Sequence, residues 1–197
     1  MVHSQHGLHV LVCGGASDAH TWNLVCLQLL LEEAGHRVTN LGPCVPEELL
    51  ARECLTRGPD AVVIGSVNGH GYQDGLRAVR RLRREPSLAA VPVALGGKLG
   101  VAGVRDAAAA DALRAAGCTA VFDDGDLDAF RAWVDGLAGH GARTAATADR
   151  AARAGATADR AARTGATADR AARAGATTDR AARTRATAGA PTGGSRA

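Results

Sequence analysis

The chain has 197 residues, of which 46% are apolar but only 3% aromatic, so its core must be built from Leu, Val and Ala. Its length suits one sizeable α/β domain with an appendage, and no stretch approaches the roughly 20 consecutive apolar residues of a membrane span, which argues against an integral membrane protein. The net charge of +3 belongs to the C-terminal part: residues 1–140 carry 12 Lys and Arg against 16 Asp and Glu, whereas residues 141–197 carry 11 Arg against 4 Asp.

The N-terminal 140 residues alternate short apolar runs with longer amphipathic runs. This alternation predicts five βα units, and therefore a doubly wound parallel sheet with helices on both faces. Pro46, followed by two glutamates, is typical of a helix N-terminus, and Gly35 is typical of a helix stop. The predicted strands are 8–13, 37–41, 61–64, 91–95 and 119–122, and the predicted helices are 21–34, 46–56, 74–84, 105–116 and 127–137.

The C-terminal 57 residues are of low complexity. Residues 146–185 consist of four near-identical ten-residue units of the type ATADRAARAG, followed by a Gly-, Pro- and Ser-rich end. A ten-residue period gives no constant helix face, and each unit offers only Ala as apolar surface. We therefore predict one domain over residues 1–140 and a disordered tail over 141–197, the alternative being a tail that is helical or ordered by a partner.

Composition also bears on partners and compartment. The mildly acidic N-terminal domain does not favour nucleic-acid binding. The five cysteines are scattered without a C-x-x-C pair, so they indicate neither a zinc site nor a disulfide framework. With no signal-peptide pattern at the N-terminus, we expect a cytoplasmic protein.

Three loops rich in Gly and small residues follow the first, third and fourth predicted strands. They read GGASDAH at 14–20, GSVNGHG at 65–71 and GGKLGV at 96–101. Ligands of open parallel sheets bind beyond the carboxyl ends of the strands, where the strand order reverses. Loops without bulky side chains let a large ligand approach the backbone closely.

Asp18 and His20 in the first of these loops allow two interpretations. In one, Ser17 or Asp18 caps the following helix and His20 is a half-exposed residue of its first turn. In the other, Asp18 accepts the proton of one ring nitrogen of His20 while the other nitrogen coordinates a metal. A single protein ligand is too few for zinc, but it suffices for a metal held by a macrocycle, as in haem or a corrinoid.

Asp18-Ala19-His20, then Gly65-Ser66-Val67, then Gly96-Gly97 resemble the pattern D-x-H-x-x-G … S-x-L … G-G of cobalamin-binding domains. The spacing is similar to that of the family of the small (sigma) subunit of glutamate mutase, also called methylaspartate mutase. The resemblance extends over about residues 7–138. Departures are Asn23 for the last Gly of the first element, Gly65 where a Ser is common, and Val67 for Leu.

The resemblance implies a flavodoxin-like domain that binds adenosylcobalamin, with His20 as the axial cobalt ligand and Asp18 as its hydrogen-bonding partner. The nucleotide tail of the cofactor would enter a slot between the first and third strands. The chain would then be the cofactor subunit of a carbon-skeleton isomerase, inactive alone, and would join a large catalytic subunit in a heterotetramer. The cofactor-binding residues so implied are Ser17, Asp18, Ala19, His20, Thr21, Gly65, Ser66, Val67, Gly96, Gly97, Lys98, Leu99, Gly100 and Val101.

Other ligand classes fit the residues less well. A receiver domain needs an Asp at the end of the third strand, where this chain has Ile64-Gly65-Ser66, and a dinucleotide site needs G-x-G-x-x-G after the first strand. The remaining alternative to a mutase subunit is a stand-alone corrinoid carrier or sensor that serves a methyltransferase or a regulatory partner. Only about seven residues precede the first strand, whereas methyl-transfer corrinoid proteins usually carry a helical domain there, which favours the mutase subunit.

Overall fold

The computed structural model describes residues 7–100, 107–123 and 125–140. They form five strands and five helices in strict alternation, with a short 3-10 turn at Pro86–Leu88. The predicted tail and Val101 lie outside the described residues. The elements are β1 (His9–Gly14), α1 (Trp22–Glu33), β2 (Arg37–Asn40), α2 (Glu47–Arg57), β3 (Ala61–Ser66), α3 (Gly71–Arg83), β4 (Val93–Gly97), α4 (Ala107–Ala115), β5 (Ala120–Phe122) and α5 (127–140).

All five strands are parallel and lie in the order β2-β1-β3-β4-β5. This is the flavodoxin-like order, so the predicted fold class is confirmed. The strand order reverses between β1 and β3, and the carboxyl ends of these two strands are therefore where a ligand is expected. None of the helices in the described part of the chain combines the length and the apolar character needed to cross a bilayer.

The helix signals in the sequence act as expected. Pro46 precedes the first residue of α2, and Glu47 and Glu48 occupy its first turn, where acidic side chains oppose the positive end of the helix dipole. After α1, Gly35 adopts a φ of 86°, and its N–H donates to the carbonyl of Glu32. A left-handed residue at this position ends the helix with its last carbonyl groups satisfied.

Several element boundaries differ from the prediction by two or three residues. Strands β3 and β4 continue to Ser66 and Gly97, because parallel backbone pairing of Gly65 with Gly96 and of Ser66 with Gly97 needs no side chain. Helix α3 begins at Gly71, three residues earlier than predicted. A Cβ on Gly71 would lie 2.7 Å from the carbonyl oxygen of Lys98, so this glycine lets the helix start against the neighbouring loop.

Alternating strand residues build a core on each side of the sheet. Leu11, Val62 and Leu95 belong to the cluster on the side of α2, α3 and α4, and their neighbours Val10 and Val63 belong to the cluster on the side of α1 and α5. Both clusters consist mainly of aliphatic side chains, as the low aromatic content requires. We call the first side of the sheet face A and the second side face B.

Candidate functional site

The loops after β1 and β3 meet at the reversal of strand order through the carboxylate of Asp18. Its side chain is 1% exposed, and its Oδ2 accepts hydrogen bonds from the backbone N–H groups of Val67, at 2.6 Å, and Asn68, at 3.2 Å. The hydroxyl of Ser66 also donates to Oδ2, at 3.1 Å. The other oxygen, Oδ1, accepts from the backbone N–H of His20 at 3.1 Å and lies 2.8 Å from Nδ1 of its ring. Asp18 therefore ties the two loops together.

These contacts fix the ionisation of Asp18. Burial alone would raise its pKa, but the hydrogen bonds from the Val67 backbone and from the side chain and backbone of His20 outweigh burial and lower the pKa to about 2. An ionised carboxylate only accepts hydrogen bonds, so the Nδ1 atom of His20 carries the proton. The lone pair of the neutral ring is then on Nε2, which makes no hydrogen bond with the residues that the structure describes.

His20 remains accessible although its partner is buried. Its side chain is 51% exposed and lies just ahead of α1, beside the exposed Trp22. An imidazole held through Nδ1 and open at Nε2 is the arrangement of a metal ligand with a carboxylate behind it. Among the described residues, no group of three or more His, Cys, Asp or Glu side chains could hold a metal ion. A single imidazole held in this way suits a metal whose remaining ligands come with a macrocycle.

A second carboxylate, which the sequence analysis missed, holds the residue before Asp18. Asp74, in the first turn of α3, accepts hydrogen bonds through Oδ2 from the backbone N–H of Ser17, at 2.9 Å, and from its hydroxyl, at 2.7 Å. Oδ1 of Asp74 forms an ion pair with Arg77, and the side chain of Asn68 donates to the carbonyl of Ser17 at 2.8 Å. Ser17 is thus held from the loop after β3 and from α3, which fixes the start of the loop that carries His20.

A cavity of about 310 Å³ opens on face B between α1 and the segment that joins β5 to α5. Its volume lies at the lower end of the range for small-molecule sites. Four cavity positions on α1, Asn23, Cys26, Leu27 and Leu30, follow helical spacing, which is the signal that could have identified them in the sequence. The other residues that line it are Trp22, Val63, Ile64, Gly65, Ser66, Val67, Ala94, Gly96, Gly97, Phe122, Gly125, Asp126, Leu127 and Phe130.

The cavity exists because two strand positions beneath it, Gly65 and Gly96, carry no side chains. Gly65 and Gly96 are paired in register on β3 and β4, and both line the cavity. A Cβ on Gly65 would lie 3.0 Å from Nδ2 of Asn23, and a Cβ on Gly96 would lie 3.3 Å from the carbonyl oxygen of Phe122. Gly97 has a φ of 96°, and a Cβ there would lie 2.0 Å from the carbonyl oxygen of Ser66, so only glycine fits.

Aromatic side chains close the far side of the cavity. The ring of Phe122 packs edge to face against Phe130, with centroids 5.6 Å apart, and both rings also contact Trp133, with centroid distances of 6.2 Å. Three of the five aromatic residues of the chain are therefore gathered here. Sequence analysis missed Phe122 and Phe130 as site residues because each reads as an ordinary core position.

The residues that sequence analysis selected fall into three groups. Ser17, Asp18, Ala19, His20 and Thr21 form the loop at the end of β1, and Asp18 connects it to the loop after β3. Gly65, Ser66, Val67, Gly96 and Gly97 line the cavity. Lys98, Leu99 and Gly100 do not: Lys98 and Gly100 are exposed, and Leu99 is buried in the core of face A.

Together, the half-exposed imidazole and the neighbouring cavity fit a corrinoid with an extended nucleotide tail. The imidazole offers one nitrogen ligand, and the cavity offers an apolar slot whose volume any side chain at Gly65 or Gly96 would reduce. A flat heterocycle with a sugar attached needs such a slot, and a metal macrocycle needs such an imidazole.

Comparison with known proteins points to the same ligand. The sequence profile of the B12 binding domain matches residues 8–129. The chain is 32% identical over 83 residues to the glutamate mutase sigma subunit of Treponema denticola, a match that covers 42% of this chain and 59% of that protein. It is 30% identical over 84 residues to the glutamate mutase sigma subunit of Fusobacterium nucleatum, covering 43% and 61% respectively. The matches thus span about three fifths of the length of these relatives.

Solved structures support the fold. A candidate response regulator from Chloroflexus aurantiacus matches with a TM-score of 0.52 and 18% identity, covering 68% of this chain and 98% of that chain. A cobalamin-binding protein from Desulfitobacterium hafniense matches with a TM-score of 0.50 and 17% identity, covering 59% and 53%. At such identities the likeness concerns the fold alone, which both kinds of protein share.

Proposed function

Because the chain belongs to the B12-binding domain family, we propose that it is the cofactor subunit of a glutamate-mutase-type carbon-skeleton isomerase that uses adenosylcobalamin. The observation that carries this proposal is the pairing of His20 with Asp18 at the reversal of strand order, beside an apolar cavity. The predicted resemblance to the small subunit of glutamate mutase is confirmed by the family comparison, which also supports the predicted binding of cobalamin.

In this proposal His20 is the axial cobalt ligand. Its Nε2 atom carries the lone pair, because Nδ1 is engaged by Asp18 at 2.8 Å. Asp18 is held in turn by two backbone N–H groups and a hydroxyl, so it orients the ring of His20 firmly. The hydrogen bond from Nδ1 to Asp18 also makes Nε2 of His20 a better electron-pair donor to a metal. An imidazole that is 51% exposed can reach a metal that stands outside the protein surface.

The cavity on face B would take the nucleotide tail, with Gly65, Gly96 and Gly97 at the strand ends leaving room for it. The walls from α1 and α5 are largely apolar and would exclude water from the heterocycle at the end of the tail. Ser66 and Val67 already bind Asp18, so the slot and the axial ligand are built on the same two loops. Lys98, Leu99, Gly100 and Val101 remain predicted contacts at the other side of the tail.

Adenosylcobalamin, when bound, supplies radical chemistry through its cobalt–carbon bond. The residues of this chain would bind and orient it, whereas the substrate amino acid would be held by a large partner subunit in a heterotetramer. Apolar side chains beside the site support a partner that covers it: Trp22 is 62% exposed and Leu127 is 50% exposed. Surfaces of this kind are typical of protein interfaces.

The axial ligand is tested by the absorbance spectrum of cobalamin added to the full chain. We expect the wild-type chain to displace the cofactor's own base and to show the spectrum of histidine-bound cobalamin. His20→Ala should abolish this change, and His70→Ala, an exposed histidine on the loop after β3, should leave it intact. A spectrum identical to that of free cobalamin with wild-type protein, or one unchanged by His20→Ala, would overturn the proposal.

The isomerase role needs a separate test. The chain is mixed with adenosylcobalamin and a glutamate-mutase-type large subunit, and the conversion of glutamate to methylaspartate is measured. We expect turnover only when both subunits are present. Binding of cobalamin without turnover by any such large subunit would reject the isomerase and favour a corrinoid carrier or sensor.

A further inference from the structure

Helix α1 carries apolar side chains both on the side that packs on the sheet and on the side that faces away from it. Its inner side, with Leu24 and Leu31, is buried in the core of face B. Its outer side is exposed but consists of apolar residues at helical spacing, namely Trp22 (62% exposed), Val25 (49%), Cys26 and Leu29 (53%). We call these four residues the α1 ridge. Helices that are apolar all round are typically covered on all sides, so the ridge calls for a binding partner.

The α1 ridge extends away from the proposed cofactor site. Helix α1 begins at the carboxyl edge of the sheet, next to His20, and leads back to the amino edge, where β2 pairs with the start of β1. At 1.5 Å per residue, Leu29 lies about 10 Å further along the helix axis than Trp22. A large subunit that covers the cofactor would therefore account for the exposure of Trp22 but not for that of Leu29.

The charges of α1 suit a second helix that runs in the opposite direction. The only charged residues of α1 are Glu32 and Glu33 in its last turn, and its first turn contains no acidic residue. Acidic side chains are favourable at the positive N-terminal end of a helix and unfavourable at its negative C-terminal end. Both carboxylates thus oppose the dipole of their own helix. In an antiparallel pair of α1 helices, they would lie beside the N-terminal end of the other helix, where negative charge is favourable.

An open groove of about 400 Å³ lies beside the α1 ridge, between α1 and the segment that follows β2. Val25 of the ridge forms part of its wall, and the other lining residues are Thr21, Leu24, Asn40, Leu41, Gly42 and Pro43. Helices pack with the side-chain ridge of one in the groove beside the other. A surface that carries a ridge next to a groove is complementary to itself, because a twofold axis brings the ridge of each copy against the groove of the other.

We propose that the α1 ridge joins two copies of this chain, which pack antiparallel about a twofold axis at the middle of the ridge. Trp22 of one copy lies against Leu29 of the other, and the two Val25 side chains lie near the axis. Glu32 and Glu33 of each copy lie beside the start of α1 in the other copy. The contact needs neither the cofactor nor a large subunit, so it goes beyond the proposed function and does not depend on it.

The oligomeric state of the full, ligand-free chain tests the proposal, measured by sedimentation velocity over a range of protein concentrations. We expect a reversible equilibrium between monomer and dimer. Val25→Lys places two like charges near the twofold axis, and it should leave only monomer at concentrations at which the wild-type chain is mostly dimeric. Leu55→Lys is the matched control, because Leu55 on α2 is also 49% exposed but lies outside the ridge. It should dimerise like the wild-type chain, and circular dichroism checks that both variants are folded.

Glu33→Lys tests the antiparallel orientation. In the monomer, this substitution places a favourable positive charge at the C-terminal end of α1, so it should not lower the melting temperature. In the dimer, it places that charge beside the positive end of the other α1. It should raise the dissociation constant of the dimer about tenfold, since each dimer contains two such contacts.

Four outcomes would overturn the inference. They are a wild-type chain that stays monomeric at every concentration, a dimer that persists in Val25→Lys, equal losses of dimer in Val25→Lys and Leu55→Lys, and a dimer that Glu33→Lys leaves unchanged. Cobalamin and the large subunit are absent from these measurements, so none of these outcomes bears on the proposed function.

Discussion

The two faces of the sheet are built from the same strands but packed differently. On face A, Leu95 of β4 lies so close to Gly75 of α3 that a Cβ on this glycine would stand 2.5 Å from it. On face B, the next residue of β4, Gly96, lines a cavity of about 310 Å³ between α1 and α5. One face is closed by interlocking side chains, and the other keeps space open at its carboxyl edge.

This difference separates stability from binding within one sheet. Dispersion contacts and burial on face A stabilise the fold, because the free energy of unfolding falls with every methylene group that is removed from a packed interior. On face B, Gly65 and Gly96 have no side chains to make such contacts, so the fold is less stabilised there. The space that results can hold a ligand. Substitutions on the two faces should therefore affect different measurements.

The largest difference is expected for the removal of a leucine from each face. Leu95 is fully buried, and Leu95→Ala should lower the free energy of unfolding by about 3 kcal/mol, since it leaves a void in the core. Leu30 is half-buried at the wall of the cavity, and Leu30→Ala should cost about 1 kcal/mol. Urea unfolding of the ligand-free chain measures both, and equal losses would contradict the difference in packing.

Face A is also held at its edge by the guanidinium of Arg83 on α3. It donates to the carbonyl oxygens of Gly117, at 2.7 Å, and of Leu88 and Val91, both at 2.9 Å. Arg83→Ala removes the donor to the carbonyl oxygens of Gly117 and Val91, whereas that of Leu88 still accepts from the N–H of Val91, and it should lower the free energy of unfolding by about 2 kcal/mol. Arg80→Ala, at an exposed site on the same helix, should change it by less than about 0.5 kcal/mol in the same assay.

A matched pair of glycines sharpens the comparison. Gly75→Ala should destabilise the chain by about 1 kcal/mol, because the new methyl group meets Leu95 in a closed core. Gly96→Ala should cost less stability than Gly75→Ala, since its nearest contact would be the carbonyl oxygen of Phe122 at 3.3 Å, which needs to shift only slightly, but it should weaken cobalamin binding by filling the slot. The opposite outcome, a destabilised Gly96→Ala with normal binding, would mean that the cavity does not receive the ligand.

The smallest effect is expected from the dependence of stability on pH, and it concerns His36, which lies between α1 and β2 in the chain. Burial lowers the pKa of His36, against the opposing charge of Asp135, and its Nδ1 accepts a hydrogen bond from the N–H of Leu8 at 3.2 Å. Because the pKa is lower in the folded chain than its ordinary value of 6.5, the neutral ring stabilises the fold above pH 6.5. That stability is lost as the pH falls below this value and passes the folded pKa.

Thermal unfolding measured between pH 8 and pH 5 tests this dependence. His36→Asn keeps an acceptor for the N–H of Leu8 but cannot titrate, so its melting temperature should fall less steeply toward pH 5 than that of the wild-type chain. His9, whose pKa is also lowered, mainly by burial, should retain part of the slope in this variant. If the melting temperature of His36→Asn fell toward pH 5 as steeply as that of the wild-type chain, His36 would not be a source of the pH dependence.

Much of the fold and part of the site could be predicted from the sequence. Apolar runs and helix-end residues such as Gly35 and Pro46 are local signals, and they located all ten elements. Asp18 and His20 are also local, because two residues in one loop form the contact. The walls of the cavity depend on which helix packs beside which strand, so Phe122 and Phe130 could not be distinguished from ordinary core residues. The contact of Asp74 with Ser17 joins positions 57 residues apart, and no local sequence pattern predicts it.

Because the open slot on face B can bind a ligand, the folding equilibrium of the chain depends on the concentration of that ligand. A molecule that binds the native chain alone, at a hundred times its dissociation constant, adds about 2.7 kcal/mol to the free energy of unfolding. That gain matches what removal of Leu95 is expected to take away. A cell short of this molecule would hold more of the chain unfolded and open to proteases, so the amount of the protein would follow the availability of its ligand without any dedicated regulator.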